Sequence, residues 1–192
     1  MPPAKKIQRG DIIRITYEIV RKEGMGDINA RRVAKELACS TQPIYHNFDT
    51  MEDLKNEVIQ EIYRTYVSYM TKGAEEVRSY LGMGMAYIRF ARDYPNFFKT
   101  LFMTESGMSP VDFIQNDDMA NHVIREGQLF SGLTREQQKA FHLKVWVFTH
   151  GIAALTATNT VTFTDHEIEN LLTSATKEML IGFKHIHKQE DE

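Results

Sequence analysis

Between Ser40 and Asn47 the chain sets Ser40, Thr41, Gln42, Pro43, Tyr45, His46 and Asn47 around Ile44, with no acid among them. Hydroxyl, amide, phenol and imidazole groups form short, directional hydrogen bonds, and on one short helix most of them share an outward face. The major groove of B-DNA admits one helix and offers base edges and phosphates to such groups. Arg31, a little upstream, carries forked donors that fit a guanine edge or a phosphate. Asn29 precedes it, and Lys5, Lys6 and Arg9 form a basic arm. The expected DNA contacts are therefore Asn29, Arg31, Ser40, Thr41, Gln42, Pro43, Tyr45, His46 and Asn47.

Other chemistries find little support. His185 and His187 lie two apart, on different sides of a helix, and cannot jointly clasp an ion. Glu75-Glu76 and Asp117-Asp118 read as solvated faces or caps. The single cysteine, Cys39, has no base tied to it and excludes an intrachain disulfide. No phosphate-binding glycine loop occurs. Neither an enzyme, a metal site nor a cofactor is expected.

Charge sharpens the picture. The net charge of −3 weighs against a polyanion partner until it is located: residues Met1–His46 carry +4 and Asn47–Glu192 carry −7. That asymmetry suggests a small basic head on a larger acidic body. The composition, 42% apolar over 192 residues, supplies a real core. No apolar run approaches the ~20 residues of a membrane span, and the start lacks a signal-peptide core, so a soluble cytoplasmic protein is expected.

The elements that must position these groups all read as helices. A first helix over about 8–23 stops at Gly24-Met25-Gly26. A second opens at the N-cap Asn29 and runs to about Leu37. A third opens at Ser40 with Pro43 in its first turn, where no N–H bond is lost. Two helices so short, joined by Ala38 and Cys39, must cross steeply, as in a helix-turn-helix. Thr50-x-x-Asp53 opens a fourth, Met51 to Lys72, which Gly73 breaks. A fifth covers 74–93, a sixth 96–104, and a seventh ends near Gly127. Capping boxes at Thr134-x-x-Gln137 and Thr164-x-x-Glu167 open two long helices. The expectation is all-α, about nine helices, with a DNA-binding domain over 1–50 and an effector-binding and dimerisation domain over 51–192.

Ile28, Arg31, Val33, Ala34, Leu37, Ser40, Ile44, Tyr45, Phe48 and Leu54 fall in register, without a gap, with the head of the tetracycline-repressor (TetR) family of transcriptional regulators, which the chain resembles. The resemblance implies a third helix in the major groove, Tyr45 and His46 near backbone phosphates, and a homodimer reading a palindromic operator. Three positions depart from the family. Ala38 stands for a usual glycine in the turn, Asn47 for a common histidine, and Met51 for a lysine that would meet a phosphate.

The body is rich in aromatics and methionines, adaptable side chains that suit varied apolar partners. Tyr94-Pro95-x-Phe97-Phe98 and Trp146-x-x-x-His150-Gly151 resemble patterns in one TetR branch, which implies a pocket for a small, largely apolar effector. Its expected lining is Tyr66, Met70, Tyr87, Phe90, Tyr94, Phe98, Phe102, Met103, Phe113, Trp146 and His150. The last two helices are apolar on most sides and must be covered on most sides. A dimer interface is expected at Ile152, Leu155, Ile168, Leu172, Ala175, Met179 and Phe183. The function expected is a homodimeric repressor released from its operator by the effector. A protein-docking module and an α-helical enzyme using the body pocket are the alternatives.

Overall fold

The computed structural model describes residues 7–76, 80–104 and 130–190, without the side chains of 74–76 and 187–190. Among these residues there are eight helices and no strand: α1 (Arg9–Glu23), α2 (Ala30–Glu36), α3 (Gln42–Asn47), α4 (Met51–Glu76), α5 (Tyr80–Asp93), α6 (Pro95–Phe102), α7 (Arg135–Ala157) and α8 (Asp165–Glu190). The helix expected to end near Gly127 lies outside the described residues, as do Lys5, Lys6 and Phe113.

Sequence signals and helix ends agree at most boundaries. Asn29 Oδ1 accepts from Arg32 N at 3.0 Å, and Gly24 ends α1 at a φ of 91° with its N–H on Val20 O. Each Thr-led box is closed in both directions: Asp53 N donates to Thr50 Oγ1 and Thr50 N to the Asp53 carboxylate, with the same exchange at Thr134/Gln137 and Thr164/Glu167. Two expectations need correcting. The residue preceding α3 is Thr41 rather than Ser40, and it makes no side-chain cap bond. Gly73 does not break α4, which continues to Glu76. A Cβ at Gly73 would stand 2.4 Å from that of Ala86, so the glycine admits close approach of α5 instead.

The chain divides into two compact units that cross the expected boundary after residue 50. One holds residues 1–68 with 94–104, the other 69–93 with 105–192. In the first, α1 and α4 run in the same direction: Arg9 pairs with Glu57 at 3.0 Å, and Tyr17 OH bonds Thr65 Oγ1 at 2.9 Å. α2 and α3 both pack on α1. Ile12, Val20, Val33, Ile44, Leu54, Val58 and Ile62 are fully buried, each contributing about 1.5–3 kcal/mol by leaving water. Leu37, in register with the family's head, is only half-buried. α6 also belongs here. Phe97 packs on Tyr17 with ring centroids 4.7 Å apart, and Asn96 Nδ2 donates to Arg21 O.

The second unit is built on α5, α7 and α8. α5 and α7 are parallel, because Tyr80 bonds His142 and Tyr87 bonds His150. α8 runs against both. Its first residue, Asp165, accepts from Arg89 and Arg92 near the end of α5, each at 2.7 Å. Leu172 then lies over Gly84, and Phe183 reaches Phe141 near the start of α7.

Candidate functional site

The turn from α2 into α3 is a Schellman motif. Cys39 N donates to Ala34 O and Ala38 N to Lys35 O, which leaves Ala38 at a φ of 51°. Cys39 is thus the residue after the cap, a backbone role that needs no thiol chemistry. Beyond the turn, Ile44 and Phe48 are buried and anchor α3, so the remaining side chains project away from the core. Gln42, Tyr45 and His46 are exposed, Tyr45 by 54%, and Thr41 and Pro43 are half-buried. Ser40, in the turn, is exposed as well.

Within the expected contact set, some groups are occupied and others are not. Asn47 Nδ2 donates to Pro43 O at 2.7 Å, closing its own helix. Asn29 spends its oxygen on Arg32 N and its amide on Asp27 O. Both asparagines hold the backbone, Asn47 half-buried and Asn29 exposed. Arg9, counted with the basic arm, is the first residue of α1; it pairs with Glu57 and lies 4.3 Å over the Phe48 ring. The neighbours Arg31 and Arg32 differ sharply. Arg32 is clamped by Glu23 and Glu36, at 2.6 and 2.9 Å. Those bonds push its pKa above the usual guanidinium value and hold Glu23 below the usual carboxylate range. Arg31 is exposed, with no ion pair among the described residues. Of the expected contacts, Arg31, Ser40, Gln42, Tyr45 and His46 face solvent most fully with no side-chain bond among the described residues, and none of the five is an acid.

The expected effector lining is divided between the two compact units. Tyr66, Tyr94, Phe98, Phe102 and Met103 belong to the first unit, and Met70, Tyr87, Phe90, Trp146 and His150 to the second. In the first, Phe102 meets Tyr66 and Phe98 with centroids 5.1 and 5.2 Å apart. Tyr94 stacks on Phe97, and Met103 is exposed. In the second, Tyr87 OH lies 3.0 Å from His150 Nδ1, and Trp146 stacks on the His150 ring at 5.1 Å. Burial holds the His150 imidazole below its usual pKa.

A matching pair, missed in the sequence, sits two turns earlier. Tyr80 OH is 2.7 Å from His142 Nδ1, and Phe130 and Phe141 close an aromatic cluster around it. The signal was present: two tyrosines seven apart on α5 and two histidines eight apart on α7 mark one face of each helix. His142 is 6% exposed, and burial pushes its pKa down to about 4. Among the described residues its Nε2 has no hydrogen-bond partner.

The expected dimer residues mostly face inward. Ile152, Ile168, Leu172 and Phe183 are buried within one chain, while Ala175 and Met179 are half-buried. The buried members of the α8 stripe pack within the chain, whereas Leu155, expected at the same interface, is exposed. A second row faces out: Val147, Gly151 and Leu155 on α7, and Leu171 and Ile181 on α8. Leu171 and Ile181 line an open groove of about 780 Å3 with Phe163, Asn170, Ser174 and Lys177. Sequence pattern alone could not separate these rows, because both repeat at helical spacing.

Among the described residues no cluster of His, Cys, Asp or Glu is arranged to hold a metal, and no helix is long and apolar enough to cross a membrane. Compared with known proteins, the sequence matches no family profile and no curated protein.

Proposed function

We propose that the chain is a homodimeric, sequence-specific DNA-binding regulator of the tetracycline-repressor type, acting in the cytoplasm. In this reading α2 and α3 are a helix-turn-helix whose third helix enters the major groove. The observation that carries it is the division of labour in the head. Arg9, Asn29, Arg32 and Asn47 make internal bonds, while Arg31, Ser40, Gln42, Tyr45 and His46, none of them an acid, are left toward solvent. Such outward donors are the groups a phosphate and base-edge role uses.

The body takes the effector. A ligand that binds better to a body conformation with wrongly spaced heads releases the operator by shifting populations. α4 runs from one compact unit into the other, and the chain returns to the head unit at α6, so three covalent crossings join them. Pairing of two chains uses the outward row of α7 and α8, Leu155, Leu171 and Ile181, in place of the buried stripe. Leu171→Glu with Ile181→Glu would then give monomers in sedimentation, with helicity unchanged by circular dichroism.

The deciding experiment titrates the purified protein onto DNA flanking its own gene, at low and high salt, against a scrambled duplex. Salt-dependent, sequence-preferring binding at two chains per palindrome is the expected result. Equal, salt-insensitive binding to both duplexes would replace this reading with a protein-docking module. Turnover of a bound compound would replace it with an enzyme.

A further inference from the structure

Two buried side-chain nitrogens of the described body have no hydrogen-bond partner among the described residues, Arg89 Nε and His142 Nε2, and the second sits among aromatic rings. A neutral imidazole has one donor nitrogen and one acceptor nitrogen, and both need partners when buried. Nδ1 has the Tyr80 hydroxyl at 2.7 Å; Nε2 has none, in a residue 6% exposed. Leaving such an atom unpaired costs about 1–3 kcal/mol, a penalty that any partner supplied from outside would recover. Reorienting the ring to find another partner would break the Tyr80 bond, so Nε2 is held on one bearing. This is how a tyrosine fixes an imidazole for recognition.

We propose that His142 Nε2, oriented by Tyr80, is the hydrogen-bonding anchor for a small, uncharged aromatic molecule bearing one oxygen, a phenol or an aryl ketone. The identification deepens the effector reading above and rests on it for its biological meaning. Three observations define the class. The surroundings are aromatic: Tyr80 lies edge-on to both His142 and Phe130, and Phe130 to Phe141, at 5.1 to 5.7 Å. Edge-to-face packing favours another ring. Burial keeps the imidazole neutral near pH 7, so it brings no charge to balance a carboxylate. Nε2 is the one ring position of His142 without a partner among the described residues, and one oxygen fills it. If the Tyr80 hydroxyl donates to Nδ1, the ring proton sits on Nε2, which donates to a ketone. In the reverse tautomer Nε2 accepts from a phenol.

The parallel pair on the same helices sharpens the assignment. Tyr87 and His150 repeat the arrangement two turns on, but His150 is half-buried and its ring is covered by Trp146. The anchor is thus the deeper of two similar dyads, and it is not the one that the sequence pattern singled out.

The test uses the full chain and three probes of similar size: 4-ethylphenol, acetophenone and ethylbenzene. Binding is followed by calorimetry and by the 15N resonances of the histidine rings. The expected result is that at least one oxygenated probe binds about tenfold or more tightly than ethylbenzene and shifts the Nε2 signal of His142. In His142→Phe the three probes should bind alike, while His166→Ala, on the surface of α8, keeps the preference. Should His142→Phe fail to fold, Tyr80→Phe should reduce the preference by unfixing the ring. Equal affinities in the unaltered protein, no binding of any probe, or a preference that survives both variants would overturn the proposal. Operator titration on the same samples separates the two readings. Intact DNA binding without a probe preference removes the anchor alone, and a probe preference without DNA binding removes the regulator alone.

Discussion

The head and the body treat their polar side chains in opposite ways. In the head the groups that hold the fold together are asparagines and arginines bonded to backbone or acids, and the best donors face solvent. In the body, tyrosine and histidine pair with each other inside, in two dyads along α5 and α7. An exposed donor costs nothing to leave unpaired, because water serves it; a buried one is costly. The head can therefore keep a reactive surface without losing stability. Each buried atom left unpaired lowers the body's stability, and its described part holds two, Arg89 Nε and His142 Nε2.

The contrast is broken most severely by removing the outward groups of the head. Arg31→Ala with Tyr45→Ala should weaken operator binding by about a hundredfold or more, since each such contact is worth roughly 1–3 kcal/mol. Stability should move by less than about 0.5 kcal/mol, as for other surface changes. Arg32→Ala deletes the same charge one residue later, yet it should act on folding by releasing Glu23 and Glu36. Its effect on affinity should be the smaller of the two. Electrophoretic mobility shifts and urea titrations on the same proteins measure both axes. If Arg31 and Arg32 prove equivalent in affinity, the division of labour in the head is wrong.

In the body the corresponding test is pH. His142 titrates near 6.5 in the unfolded chain and near 4 when folded, so between those values the unfolded state binds the extra proton. Stability should thus be fully present above pH 6.5, fall as pH drops through the window, and be lost by as much as about 3 kcal/mol near pH 4. His142→Phe should flatten this part of the profile and raise stability at pH 5 relative to the parent. A slope that survives the substitution would assign it to other groups. Asp165 adds a weaker dependence of the same sign. Arg92 and Arg89 hold its carboxyl below the usual range, so their contribution persists until pH falls through that lowered value.

How far the sequence could be read follows the same division. Helix ends carry local chemistry, and the boxes at Thr50, Thr134 and Thr164 close as their spacing requires. The turn at Ala38 and the buried anchors Ile44 and Phe48 were equally legible, since only a few neighbours decide them. Long-range choices were not. Gly73 looked like a break and is a contact with Ala86, because a glycine's role depends on what approaches it. α6 was read as part of the body, yet it packs on α1 through Phe97 and Asn96. The α8 stripe was assigned to a partner chain, and it faces α5 and α7. Periodicity states that a face is apolar without saying what covers it. The Tyr80–His142 dyad was missed because its halves lie on helices far apart in the chain.

The smallest expected effect lies in the head's own concession of stability. Ala38 adopts a left-handed φ of 51°, where a Cβ crowds the backbone and costs about 1 kcal/mol. Glycine removes that strain but frees the unfolded chain, which takes back about 0.4–1 kcal/mol. Ala38→Gly should therefore leave stability unchanged or raise it by up to roughly 0.5 kcal/mol, read as a higher urea midpoint at constant slope. Ala38→Val, branched at Cβ, should lower the midpoint, because the same backbone angle is worse for it. Operator affinity is the sharper readout. Ala38 lies in the turn and not among the outward groups, so a glycine there should leave affinity as it was. A change in affinity at constant stability would show that the turn angle itself aims α3. The head's surface would then depend on a strained backbone as well as on its exposed donors.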